Sequence, residues 1–195
     1  MTGPKTTELL LIRHAPTLAA GRLCGRTDVA ADCSAGAAFG ALRAALGHPD
    51  RIVVSPAQRC RQTADTLWPA AQVEIHPALW EQDFGAWEGH AYSDLPDLGR
   101  MPTLDLAHHR PPAGDTPGES FADLCDRVWP VLRSVDTGGR VALVVHAGVI
   151  RAALSMVLHS VAAGLRFQIA PLSLTRIVNL GQDEWSIAEV NRAAQ

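Results

Sequence analysis

The chain has 195 residues, 47% hydrophobic and 19% charged, which fits one globular domain of ordinary size and excludes a disordered chain. Its formal net charge of -3 argues against a general nucleic-acid binder. No apolar run is long enough to span a membrane. The opening Met1-Thr2-Gly3-Pro4-Lys5 leads into an apolar run too short for a signal-peptide core, so a cytoplasmic location is expected. The basic residues are nearly all arginine, with Lys5 the one lysine, and arginine is the better bidentate partner for phosphate. Cys24, Cys33, Cys60 and Cys125 form no C-x-x-C pair and are expected to be free thiols, with neither structural zinc nor disulfides.

The first predicted element is a strand through Leu9-Leu10-Leu11-Ile12, buried on both faces and running into Arg13-His14-Ala15. Residues 15–33 have loop chemistry, and Arg22 and Arg26 within them are read as solvated charges. Ser34 is expected to cap an alanine-rich helix ending near Gly47. Arg51-Ile52-Val53-Val54 is a short buried strand, and Ser55-Pro56 then reads as the start of a helix that stops before Pro69. On that helix Arg59 and Arg61 fall on different faces, so one can face a site while the other is solvated. Val73-Glu74-Ile75 is an edge strand, and residues 79–89 fit neither helical nor strand periodicity.

Residues 93–118 read as irregular with one short helix, a candidate lid that contains His108-His109. Ser120 begins a helix with Asp123 as capping-box partner, and Pro130 should kink or end it. A second buried strand, Val141-Ala142-Leu143-Val144-Val145, runs into His146-Ala147-Gly148 and a helix from about Val149 to Leu158. Leu174, Ile177 and Val178, then Trp185, Ile187 and Val190, give two final antiparallel strands. With no internal repeat or linker, the expectation is a single domain over 1–195. It should be a three-layer α/β/α sandwich with a mainly parallel central sheet.

Ligands gather beyond the carboxyl ends of strands in such sheets. If Arg13, His14, Arg59 and His146 meet there, two guanidinium groups and two imidazoles surround one volume suited to a phosphoryl group. A histidine nitrogen can attack phosphorus in line, and water can later hydrolyse the phosphohistidine. A poor alkoxide leaving group needs a proton, and the acids between 81 and 88 are its source. Glu81 follows Leu79 and Trp80, which can shield it from water. Asp83 and Glu88 flank a glycine-containing turn and are expected to be solvated or paired with arginine.

The blocks LLLIRHA, SPAQRCRQTA, LWEQDFGAWEG and ALVVHAG, in this order between residues 9 and 148, resemble the signature of the histidine phosphatase superfamily, also called phosphoglycerate mutase-like. The resemblance implies a phosphohistidine mechanism with no metal and no other cofactor. It implies His14 as nucleophile, Arg13 and Arg59 as phosphate ligands, His146 completing the pocket and Glu81 as proton donor. Ala15 and Ala147 stand where the common family pattern has glycine, and each should narrow the pocket mouth. The segment GRLCGRTD is similar to the α-ribazole phosphatase branch of cobalamin biosynthesis, while broad-specificity sugar phosphatases share the same features. The expected partner is therefore a small-molecule phosphate monoester, with no nucleic acid and no membrane.

Alternatives are a phosphoglycerate mutase, which usually has a longer insertion, a non-enzymatic phospho-ligand sensor, and a metal-dependent hydrolase using His14, His146, Glu81 and Asp83. No H-x-x-x-H or H-E-x-x-H spacing favours the last. His48, His76, His90 and His159 read as surface or structural residues, and Trp80, Phe84 and Trp87 as packing.

Overall fold

In the computed structural model, residues 6–99 and 101–193 are described. Lys5 and the residues before it therefore lie outside the described part. Six strands form one sheet in the order β3-β2-β4-β1-β5-β6. They are β1 (Thr7–Arg13), β2 (Arg51–Val54), β3 (Glu74–Ile75), β4 (Gly139–Val145), β5 (Ser173–Asn179) and β6 (Trp185–Ala193). Strands β1, β2, β3 and β4 pair in parallel, whereas β5 pairs antiparallel with both β1 and β6.

The central strands are apolar throughout because both faces are covered. Leu9 and Leu11 face one side with Val141, Leu143 and Val145, against the helices α4 (Phe121–Ser134) and α5 (Ala147–Val157). Leu10 and Ile12 face the other with Ala142 and Val144, against α1 (Gly36–Leu46) and α2 (Gln58–Leu67). The strand period of two thus deals alternate residues to two cores, giving the expected three layers. A short helix α3 (Thr103–His108) interrupts the irregular segment after residue 93.

Three local expectations are corrected. Ser34 does not cap α1: Ala35 precedes the helix with no side-chain cap bond, and Ser34 accepts from Gly36 N through its carbonyl at 2.8 Å. Ser55 does not cap α2 either, since that helix begins at Gln58 after Ala57. Pro130 does not end α4, which runs on to Ser134 behind a complete Ser120–Asp123 capping box. The carbonyl freed by Pro130 belongs to Asp126, and both residues are exposed, so the missing bond falls on the water side of the helix.

Candidate active site

Register brings the site together. β4 lies between β1 and β2, with Arg13 opposite Val145 and Val54 opposite Val144. Past the strand ends the ladder continues: His14 N donates to Val145 O at 3.0 Å and Ser55 N to Val144 O at 3.1 Å. Arg13-His14, Ser55 and His146 therefore leave three neighbouring strands at one level.

The two histidine rings meet edge to face, with centroids 5.2 Å apart. His14 is 6% exposed and His146 is fully buried. Burial pushes the His14 imidazole down to about 3, and the Arg59 and Arg13 charges add to this, while the bond to Ala15 opposes it. His146 is held well below the ordinary histidine range by burial, Arg59 and His14. Both rings are therefore neutral near pH 7. Nδ1 of His14 lies 2.7 Å from the Ala15 carbonyl, which can only accept, so Nδ1 carries the proton. Nε2 of His14 is left with a free lone pair.

A cavity of about 460 Å³ opens over this end of the sheet, lined by Arg13, His14 and Glu81 together with Arg22, Tyr92 and Arg151. That volume suits a small metabolite. Arg13 donates through Nη1 to Ile169 O at 2.5 Å, and its buried Nε has no partner. Arg22 is not simply solvated, for it lines the cavity and donates to Gly89 O at 2.7 Å. Arg26 instead pairs with Glu119 at 3.5 Å.

Neither Arg59 nor His146 lines this cavity; Arg59 is fully buried, whereas Arg61 is exposed, as helical phase predicts. The Arg59 guanidinium donates to the carbonyls of Thr27 at 3.0 Å and Gly25 at 2.7 Å, and its Nε has no partner. It thus fixes the loop after β1 while holding its charge near both histidines. Thr63, one turn along the same face, accepts from Ala15 N at 2.9 Å and steadies the residue after His14.

The three acids separate cleanly. Glu81, 9% exposed, lines the cavity and accepts from Gly148 N, at the start of α5, at 3.1 Å. Arg127 on α4 holds the backbone of this segment, donating to the carbonyls of Ala78, Trp80 and Glu81 and pairing with Glu119 at 2.7 Å. Asp83 and Glu88 are neither solvated nor paired with arginine. Asp83 accepts from Gly85 N at 2.8 Å and the Thr116 hydroxyl at 2.6 Å. Glu88 accepts from the amides of Gly25, Arg26, Thr27 and Phe84. Burial raises the Glu88 carboxyl, yet the Thr27 hydroxyl and the backbone amides outweigh it and the net shift is downward.

Asp83 is thereby taken from the metal-ligand set considered for a hydrolase. Among the described residues, no group of three or more His, Cys, Asp or Glu is arranged to hold a metal ion. Ala147 lines the cavity as expected, whereas Ala15 is buried in the core beneath it and does not narrow the mouth. His108 is exposed and His109 stacks on Trp87 at 5.7 Å, and neither lines the cavity. Trp80 packs parallel to the His146 ring at 6.4 Å. The four cysteines are free, and burial raises the Cys60 and Cys24 thiols, which leaves both protonated.

Sequence reasoning gave no role in the site to Ser55, Thr63, Arg127 or Arg151. Arg151 lies one helical turn beyond Ala147 on α5, and that spacing was the available signal.

The model of the histidine phosphatase superfamily (branch 1) matches residues 9–193. The chain belongs to this superfamily. A 6-phosphofructo-2-kinase/fructose-2,6-bisphosphatase of Caenorhabditis elegans is 34% identical over 111 residues, covering 54% of this chain and 23% of that protein. A bifunctional protein of Mycobacterium tuberculosis is 36% identical over 134 residues, covering 63% and 35%. The chain thus spans about a quarter to a third of the curated relatives it matches.

Among solved structures, an Escherichia coli protein proposed to be an alpha-ribazole-5'-P phosphatase aligns with a TM-score of 0.78 and 23% identity over 96% of this chain and 97% of that one. A mycobacterial glucosyl-3-phosphoglycerate phosphatase aligns at 0.80 with 22% identity, over 97% and 100%. These likenesses show a shared fold over nearly the whole of this chain.

Proposed function

We propose that this chain is a phosphoric monoester hydrolase that works through a phosphohistidine on His14, without a metal. The observation that carries the reading is the free His14 Nε2 in a cavity shared with Arg13 and Glu81. Nε2 attacks phosphorus, the bond from phosphorus to the ester oxygen breaks, and Glu81 delivers a proton to that oxygen. Water then attacks the phosphohistidine, Glu81 takes its proton, and the P–N bond breaks to restore neutral His14. Arg13 and the charge of Arg59 stabilise the equatorial oxygens in both steps, and His146 donates a hydrogen bond to them.

The substrate is proposed to be a small phosphorylated metabolite, with α-ribazole 5'-phosphate of cobalamin biosynthesis as the first to test. The GRLCGRTD segment supports that choice. A broad-specificity sugar phosphatase is the second reading, favoured by a cavity with room for several leaving groups. The free thiols suit a cytoplasmic location. Phosphate release from a panel of monoesters, including α-ribazole 5'-phosphate, sugar phosphates and phosphoglycerates, tests the proposal. Turnover of one member far above the rest identifies the leaving group, and even turnover supports the broad enzyme. Folded protein that binds vanadate but turns over none would instead be a phospho-ligand sensor.

A further inference from the structure

Ser55 is spent on something its local sequence does not announce. Serine followed by proline ordinarily starts a helix, its hydroxyl accepting from a first-turn amide. Here the Ser55 hydroxyl meets its local amide, Ala57 N, at only 3.4 Å. Its short contact is with the other chain segment, 2.8 Å from Nε2 of His146. Ser55 and His146 are both fully buried, so water does not substitute for either partner.

The hydrogen inventory of this pair has one good solution. The hydroxyl has a single proton to donate and two lone pairs that accept. Ala57 N can only donate to it. The proton must then go to His146 Nε2 or to the Cys60 sulfur, which itself lies 3.5 Å from Nε2. An imidazole nitrogen is a far better acceptor than a thiol, and a buried hydroxyl proton left unbonded is costly.

We infer that Ser55 is a positioning residue for the phosphoryl transfer: its hydroxyl donates to Nε2 of His146 and fixes that ring in the Nδ1–H tautomer. A neutral imidazole carries one N–H, and the bond made by one nitrogen decides which nitrogen keeps it. The sequence Ala57 N–H, Ser55 O–H and His146 Nδ1–H is then a one-way relay of donors, with the Cys60 sulfur 3.9 Å from Nδ1. The two histidines then share one tautomer, and on the phosphatase reading they use it in opposite ways. His14 offers the lone pair of Nε2, and His146 offers the proton of Nδ1. Trp80, stacked on the His146 ring, and Cys60 beside it keep the imidazole from turning over.

The consequence for catalysis rests on the phosphatase reading, but the tautomer does not. The test is nitrogen-15 NMR of histidine-labelled protein at neutral pH, with His146 assigned by its substitution. The wild type should show an unprotonated Nε2 and a protonated Nδ1 for His146. Ser55→Ala should mix the two tautomers and lower kcat about tenfold or more with a smaller change in KM, as expected when one pre-aimed donor is lost. Ser55→Thr, which keeps the hydroxyl, should restore both the signal and the rate. Thermal melting of Ser55→Ala checks that it is folded. A wild-type His146 protonated at Nε2 overturns the inference whatever the enzyme turns over. So does a Ser55→Ala protein whose His146 keeps the wild-type tautomer.

Discussion

Glu81 Oε2 rests 3.1 Å from the amide nitrogen of Gly148, so the carboxyl group is docked on the first turn of α5. Gly148 has no room for a side chain, because a methyl there would overlap Glu81 Oε1 and lie 2.9 Å from Leu124. The proposed proton donor and the helix that follows His146 are therefore built as one unit. Glu81→Gln should cost on the order of a hundredfold on an alkyl phosphate and much less on p-nitrophenyl phosphate, whose phenolate departs unaided. Gly148→Ala should shift Glu81 and show the same dependence on the leaving group, in weaker form. Asp83→Asn should show none of it. Steady-state rates on the two substrates check all three, and selective loss in Asp83→Asn would reassign the acid.

Arg59 and Arg61 are two residues apart on α2 with opposite surroundings. Arg59→Ala strips a buried charge from the site and leaves the carbonyls of Thr27 and Gly25 without donors. It should lower phosphate affinity and rate together and destabilise the fold by roughly 3 kcal/mol. Arg61→Ala should leave rate unchanged and stability within about 0.5 kcal/mol. Denaturant melts and vanadate titrations distinguish the two.

Arg127 donates through Nη1 to the carbonyls of Ala78 and Trp80 and through Nη2 to that of Glu81, while Nε and Nη2 together pair with Glu119. Lysine cannot reproduce that fork. Arg127→Lys should cost about 2–4 kcal/mol of stability and lower kcat on alkyl phosphates, while the proposed phosphate site of Arg13 and His14 should still bind vanadate. Loss of vanadate binding in this variant would mean that the clamp supports the whole pocket.

The neutral histidines set a dependence on pH. In the unfolded chain His14 titrates near its ordinary value of about 6.5, and in the folded protein near about 3. Between these values the unfolded state binds a proton that the folded state refuses, so stability falls as pH drops through that window. Above about pH 6.5 the residue is neutral in both states and adds no slope. His146 acts in the same direction. The melting temperature should therefore decline from neutral pH toward pH 4, and His14→Asn should flatten part of that decline. An unchanged pH slope in the variant would contradict the burial argument.

The sheet was legible because its central strands are apolar on both faces and alternate between two cores, a pattern local sequence cannot hide. The strand-end residues Arg13, His14 and His146 were legible for the same reason, since each interrupts an apolar run. Arg59 was readable from its helical phase against Arg61. What failed was local chemistry put to distant use. Ser34 and Ser55 read as helix caps, but the Ser55 hydroxyl is taken by a histidine 91 residues away. Asp83 and Glu88 read as acids solvated or paired with arginine, but loop amides from 61 to 63 residues away surround Glu88, and Thr116 turns Asp83 inward. Pro130 read as a break, yet its missing bond faces water, where its loss costs little.

The central claim is that His14 forms the covalent intermediate. Enzyme quenched in denaturant during turnover of a labelled monoester should yield an acid-labile, base-stable phosphate on the peptide bearing His14, and His14→Ala should yield neither label nor turnover. Full activity in His14→Ala, or a label on any other residue, would contradict the account.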